Sequence, residues 1–143
     1  MRKLSVFNTV SLDGYFTDQN NDMSWVKQHL NDAEWDEFVG GNASGNGVLL
    51  FGRVTYEMMA SFWPSPQATQ MMPVVAKGMN QSEKVVFSKT LSRADWNNTT
   101  LVKGNLADEV CRLKQQPGNG MVILGSGQIV AELTAVIYFN HPF

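Results

Sequence analysis

Cysteine is nearly absent: Cys111 is the only one in 143 residues. A single thiol excludes an intramolecular disulfide and a cysteine-rich zinc site, and a reducing, cytoplasmic setting is the expectation. Histidine is almost as scarce. His29 and His141 stand alone, without metal-ligand spacing and without a Ser-His-Asp or Cys-His arrangement. Surface or packing roles are the simpler reading for both, and no metal is expected. Charge is modest at 17% of residues, with a net value of -2 and a sequence pI of about 5.6. A nucleic-acid binder working through a broad basic surface is thereby excluded, although a local basic pocket for one phosphorylated ligand is not. No apolar run approaches the roughly 20 residues that cross a bilayer. The first apolar stretch is broken by Ser5, Asn8 and Thr9 and does not read as a signal peptide. Neither nucleic acid nor membrane is expected as a partner.

What is present fits one α/β domain over residues 1–143, with 43% hydrophobic residues. Residues 3–12 read as a strand, broken by Asp13-Gly14, and residues 17–23 as a polar loop. Asn31 can cap a helix, with Glu34 bonding back and Leu30 stapling ahead of it, and Trp35, Phe38 and Val39 give that helix an apolar face. The glycine-rich residues 40–47 read as a connection. Residues 48–51 are a short continuous apolar run, as in a strand covered on both faces. Residues 55–63 have helical spacing, and the prolines around residues 67–79 suggest a short helix or lid. Residues 84–87, 99–102 and 121–124 read as further strands. Asn105 caps a helix whose buried face is Leu106, Val110 and Leu113 or Cys111. A last helix starts over 128–133, and 136–139 is a brief β-like run. Short apolar strands alternating with helices predict a sheet with helices on both faces.

Two turns carry the chemistry. Residues 48–59 read VLLFGRVTYEMM, and residues 121–133 read MVILGSGQIVAEL. Each runs from an apolar strand through glycine into a helix. In an open α/β sheet, ligands sit at the carboxyl ends of the strands, and the unpaired N–H groups of a helix start favour an anion. Gly52 would let backbone approach closely. Arg53 adds a planar charged fork suited to phosphate, and Thr55 can cap the helix and offer a hydroxyl. Gly125 and Gly127, with Ser126, would do the same at the second turn. The plainer alternative stays open: glycine serves the turn alone and Arg53 is a solvated residue. A Rossmann fingerprint is rejected, because its third glycine position is Val130 and no acidic residue follows about 20 residues on. Asp13, Asp32 and Asp36 are candidate proton donors or substrate anchors. On the residues alone the plainer readings are preferred: a turn residue for Asp13, a first-turn helix acid for Asp32 and a solvated helix position for Asp36. Trp25, Trp35, Phe62 and Trp63 could line a ring-binding pocket or simply fill the core.

The motifs SLDGYF (residues 11–16), LFGRVTYE (50–57), KVVFSK (84–89) and VILGSGQIV (122–130) occur in that order. Together they resemble the dihydrofolate reductase-like proteins of the riboflavin-biosynthesis reductase type, the RibD C-terminal domain. The resemblance implies a mixed, mainly parallel sheet flanked by helices, NADPH as cofactor, and hydride transfer to a heterocyclic or ribosyl-aminopyrimidine substrate. It also implies a homodimer. Carried over by position, Gly52, Arg53 and Thr55 would meet the cofactor phosphates, with Arg53 on the adenosine 2′-phosphate. Ser88 and Lys89 would lie beside the adenosine half. Gly125, Ser126, Gly127, Gln128 and Ile129 would wrap the pyrophosphate and approach the nicotinamide, whose ring Thr9 and Val10 would border. Asp13 and Phe16 would lie on the loop facing the substrate, with Trp25 beside it, and the acid of the first helix would be Asp32 or Asp36. The chain leaves the family pattern near Thr134, so a shortened C-terminus is expected, with only residues 136–139 able to supply a strand. The alternative that follows is a non-catalytic nucleotide-binding or oligomerising remnant of the family.

Overall fold

The short apolar runs are the strands. The computed structural model describes residues 1–20, 22–25 and 32–140, the last four by their backbone alone. Its strands are β1 (Leu4–Phe7), β2 (Val48–Gly52), β3 (Lys84–Phe87), β4 (Thr99–Val102) and β5 (Met121–Leu124). They form one sheet in the order β1-β5-β2-β3-β4. Every described pairing is parallel, so the sheet expected to be mixed and mainly parallel is parallel throughout among the described residues. The outer edges of the sheet belong to β1 and β4.

Parallel strands are buried on both faces, which is why their sequences are apolar without alternation. The helices that cover them are α1 (Ala33–Ser44), α2 (Arg53–Phe62), α3 (Pro66–Met71), α4 (Pro73–Gln81), α5 (Leu106–Gln115) and α6 (Gly127–Asn140). Leu50, Val85 and Ile123 point to one face, where Val110, Leu113, Ile129 and Leu133 of α5 and α6 meet them. Leu49, Phe51 and Val86 point to the other, packing against Tyr56, Val75 and Met79 of α2 and α4 and against Trp96. Burying one such side chain contributes about 1.5–3 kcal/mol.

Several expected boundaries move. The first strand is only four residues long. Residues 40–44, read as a connection, continue α1. Gly40 lies under Val74, where a Cβ would reach its Cγ1 at 3.6 Å, and a Cβ on Gly78 of α4 would collide with the carbonyl of Ala43. Two helices crossing that closely need small residues at the contact, and packing outweighs the poor helix propensity of glycine. The cap of α1 is Asp32, whose carboxylate accepts from the N–H groups of Glu34 and Trp35. Asn31, Leu30 and His29 lie outside the described residues, as does His141. Residues 67–79 form two helices rather than a lid, since Ala68, Val75, Ala76 and Met79 are buried. The β-like residues 136–139 extend α6: no glycine or proline interrupts positions 128–140, so a helix already propagating passes through them. The readings of residues 84–87, 99–102 and 121–124 as strands, and of Asn105 as the cap of α5, agree with the structure.

Candidate functional site

The two glycine turns meet. β2 and β5 are neighbours in the sheet, and their following helices leave toward opposite faces, α2 to one and α6 to the other. That divergence opens a crevice at the carboxyl ends of the strands, the usual ligand position in such sheets. The turns are also bonded to each other. The Gly52 N–H donates to Ser126 Oγ at 2.9 Å, the Ser126 N–H donates to Thr55 Oγ1 at 3.2 Å, and Ser126 Oγ donates to the Leu124 carbonyl at 3.0 Å. Gly125 and Ser126 both adopt left-handed backbone, with φ of 57° and 56°. For serine that conformation is costly and persists only where its surroundings fix it, here through those three hydrogen bonds. A Cβ on Gly125 would come within 3.2 Å of the Thr55 side chain, so glycine is required on both counts.

This geometry corrects two expectations. Thr55 does not cap its helix: α2 starts at Arg53, its N-cap is Gly52, and no side chain caps it. The hydroxyl of Ser126 both accepts and donates within the turn, so it holds the two strand ends together. No side chain caps the start of α2, and the first-turn residues of both helices, Arg53, Val54 and Thr55 of α2 and Gly127, Gln128 and Ile129 of α6, line the crevice. Arg53 is half-exposed, at 46%, and pairs with Glu57, one helical turn on, at 2.9 Å.

One cleft of about 1300 Å³ joins these parts. Thr9, Phe16, Gly52, Arg53, Thr55, Ser88, Lys89 and residues 125–129 all line it, although they come from four strand ends and a loop. Phe16 lies across Gly127, so closely that a Cβ there would sit 2.6 Å from its ring. The remaining expectations are not brought to the cleft. Val10 is exposed and does not line it, nor does Trp25. Asp13 is tied to Ser11 Oγ at 2.6 Å in an exposed turn, Asp32 is the cap of α1, and Asp36 is exposed on that helix. None of the three aspartates lines the cleft; each turned out to serve its local backbone or solvent.

Two residues were missed in the sequence. Asn8, beside Thr9, lines the cleft, and its Oδ1 is out of solvent with no hydrogen-bond partner. Such an orphan costs about 1–3 kcal/mol unless a ligand donates to it. Its only sequence signal was a polar residue at a strand's carboxyl end. Lys84 is wholly buried at the opposite end of the sheet. Its Nζ donates to the carbonyls of Met79, Asn80 and Ser82 at 2.8, 3.4 and 2.7 Å and sits 4.5 Å above the Trp96 ring. Desolvation lowers its pKa from 10.5 to about 8. Among the described residues, no cluster of His, Cys, Asp or Glu could hold a metal ion, and no helix is long and apolar enough to cross a membrane.

The family model for the RibD C-terminal domain matches residues 2–140. A curated relative, the uncharacterized protein YyaP of Bacillus subtilis (strain 168), is 22% identical over 129 residues, which cover 90% of this chain and 65% of that protein. The chain therefore spans just under two thirds of the length of that relative.

Proposed function

The chain belongs to the RibD C-terminal domain family, whose members are dihydrofolate reductase-like reductases that in general bind NADPH, and from that premise we propose that it is an NADPH-dependent reductase passing hydride to a heterocyclic substrate. The observation that carries the reading is the pair of interlocked glycine turns, which bring the starts of two helices to one cleft beside Arg53 and Lys89. Helix starts and a guanidinium are the donors a pyrophosphate and a 2′-phosphate require. Asn8 adds a fit of another kind, since its orphaned oxygen needs an N–H donor and a nicotinamide carboxamide carries one.

When bound, the cofactor supplies the hydride. The protein's part is to bind and orient. The first turns of α2 and α6 would hold the cofactor's anionic oxygens, and Arg53 would exchange its weak partner Glu57 for a phosphate. Phe16, lying over Gly127, screens the start of α6 from water. From the family resemblance alone we also propose a soluble, cytoplasmic homodimer that acts on a small molecule. A second reading rests on one observation: none of the three candidate acids lines the cleft. It is a nucleotide-binding member of the family without turnover.

Thermal unfolding in the presence of NADPH, NADH and flavins tests the proposal, because a ligand that binds only the folded state must raise its stability. NADPH at about 100 times its Kd should add about 2.7 kcal/mol, and NADH at the same concentration clearly less. No shift with either nicotinamide, or a shift with flavin alone, would sink the reading. Binding without oxidation of NADPH by any heterocyclic acceptor would favour the second.

A further inference from the structure

The cleft continues past the glycine turns along the sheet face that carries α1, α2 and α4. In a parallel sheet that face should be covered along its whole width. Over β2 and β3 it is, with Leu49, Phe51 and Val86 buried. Over β1 and β5 the described residues of this face are only partly buried. Ser5 pairs in register with Val122, and Phe7 with Leu124. All four point to this face, are only partly buried, and line the cleft. Met121 and Ile123, which alternate with them, are 2% and 1% exposed on the opposite face. The result is a floor, apolar except at Ser5, running out from under the carboxyl ends of the strands.

The walls match the floor. Phe38 of α1, Met58 and Met59 of α2, and Trp63 just past the end of α2 line the groove, and Phe38 and Met58 keep 53% and 45% of their surface exposed at its rim. Phe38 stands 6.0 Å from the Phe7 ring. The indole N–H of Trp63 is directed to Met59 Sδ at 3.1 Å, so this wall offers no free donor from that ring. Aromatic faces and thioethers of this kind receive flat, polarisable rings. Every charged side chain that lines the cleft among the described residues, Arg53, Lys89 and Glu132, belongs to the segments that follow the strand ends and not to the groove.

We propose that the groove is the acceptor half of the site and that it takes an uncharged, planar, electron-poor ring of the quinone or conjugated-enone class. The inference rests on the reductase reading given above. A phosphorylated ribosyl compound would bring a charge that no cation among the described residues of the groove meets, at a large desolvation cost. Among the described residues no carboxyl group lines the groove, the cleft's one carboxylate being Glu132 on α6 beyond the glycine turn, so the acceptor must also form a stable anion unaided. Hydride from the reduced nicotinamide adds two electrons to the ring. The ring's C=O or C=C π bond opens, and the product is a hydroquinonate or enolate. Water entering at the exposed rim then supplies the proton, and the cofactor leaves oxidised.

The probe is 2,3-dimethyl-1,4-naphthoquinone, whose substituted ring does not add to the exposed Cys111. Its binding is measured by equilibrium dialysis with and without NADPH, and its reduction by NADPH oxidation, beside dihydrofolate and a phosphorylated ribosylaminopyrimidine. The quinone should bind and should be reduced with the highest kcat/KM of the three. Met58→Asp, which puts a charge on the rim, should weaken quinone binding by about tenfold or more and leave the melting temperature and NADPH affinity near those of the parent. Met58→Leu should restore quinone binding. Absence of quinone binding overturns the proposal, as does equal binding to Met58→Asp or preferential reduction of the phosphorylated compound. Quinone binding that Met58→Asp abolishes, in a protein that fails to bind NADPH, removes the reductase reading and leaves the groove's ligand class standing.

Discussion

Two cations sit at opposite ends of the sheet. Lys84 opens β3 at its amino end, and Arg53 follows the last residue of β2 at its carboxyl end. Lys84 has no exposed surface and meets three carbonyls and an indole ring. Arg53 is half in solvent with the single partner Glu57, an exposed pair one helical turn apart of the kind that contributes about 0.3–0.5 kcal/mol. The difference separates architecture from chemistry. A helix ends with carbonyls that lack internal partners, and around the end of α4 each has a donor. The Gly78 carbonyl receives the Ser82 N–H and hydroxyl, those of Met79, Asn80 and Ser82 receive Lys84, and that of Gln81 receives the Asn98 amide. Lys84 is thus committed to holding α4 against the sheet. Arg53 keeps most of its donors free, at the mouth of a cleft.

The comparison breaks most readily at Lys84. Lys84→Met keeps the buried stem but leaves three carbonyls without their donor, and should lower stability by about 3 kcal/mol at pH 7, read from urea unfolding. The size of the loss decides the matter, because methionine also removes the cost of burying a charge, and some buried charges are dispensable. Stability equal to or above that of the parent would show that the carbonyls find other donors. A pH signature accompanies the loss. The folded pKa is lowered to about 8 from 10.5 by desolvation. Below pH 8 both states hold the proton and the full penalty applies. Between 8 and 10.5 the unfolded chain still holds the proton that the folded one has lost, so the stability owed to this residue rises with pH. The parent should gain stability relative to Lys84→Met across that window, and parallel curves would contradict the assignment.

The same contrast explains what the sequence made legible. Arg53 stood out because a cation between a strand-ending glycine and a helix has few structural uses, and the second turn, GSGQ, offered it a partner site. The strands of residues 84–87, 99–102 and 121–124 were readable because a buried parallel strand has a composition of its own. Lys84 was not readable: a lysine ahead of an apolar run looks solvated, and its partners are backbone carbonyls that leave no mark in the side-chain sequence. The hydrogen bonds between the turns were hidden for a related reason. Glycine, serine and threonine announce a turn, but whether a hydroxyl points to a ligand or across to Gly52 depends on the neighbouring strand. Residues 40–44 and 136–139 misled because local propensity was outweighed, in one case by the close crossing of α1 and α4 and in the other by a helix already under way.

At the other end of the sheet the expected effects are smaller. Arg53→Ala removes a half-exposed guanidinium and should leave folding within about 0.5 kcal/mol of the parent. On the proposed reading it weakens NADPH by about 1.5 kcal/mol, roughly tenfold, and NADH hardly at all, because only NADPH carries the 2′-phosphate. Titration of both cofactors against both proteins measures it. Equal losses for NADPH and NADH would mean that Arg53 serves the turn and not the phosphate. It would then resemble Lys84 in kind and differ from it only in exposure.

Glu57→Gln asks whether the one partner Arg53 has is a competitor or a guide. As a competitor, Glu57 must give up its 2.9 Å contact before a phosphate is engaged, and its carboxylate repels that phosphate. Removing the charge should then tighten NADPH by about 0.3–0.5 kcal/mol, roughly twofold, with the gain fading in salt. As a guide, Glu57 holds the guanidinium in place, and its loss should weaken NADPH by a similar amount. Competition has the stronger physical case, because both side chains are nearly half exposed, at 46% and 49%, and an exposed pair restrains its members weakly. The variant made in the Arg53→Ala background isolates the coupling: if the gain acts through Arg53 it disappears there, and if it persists it comes from the field of Glu57 on the cleft alone.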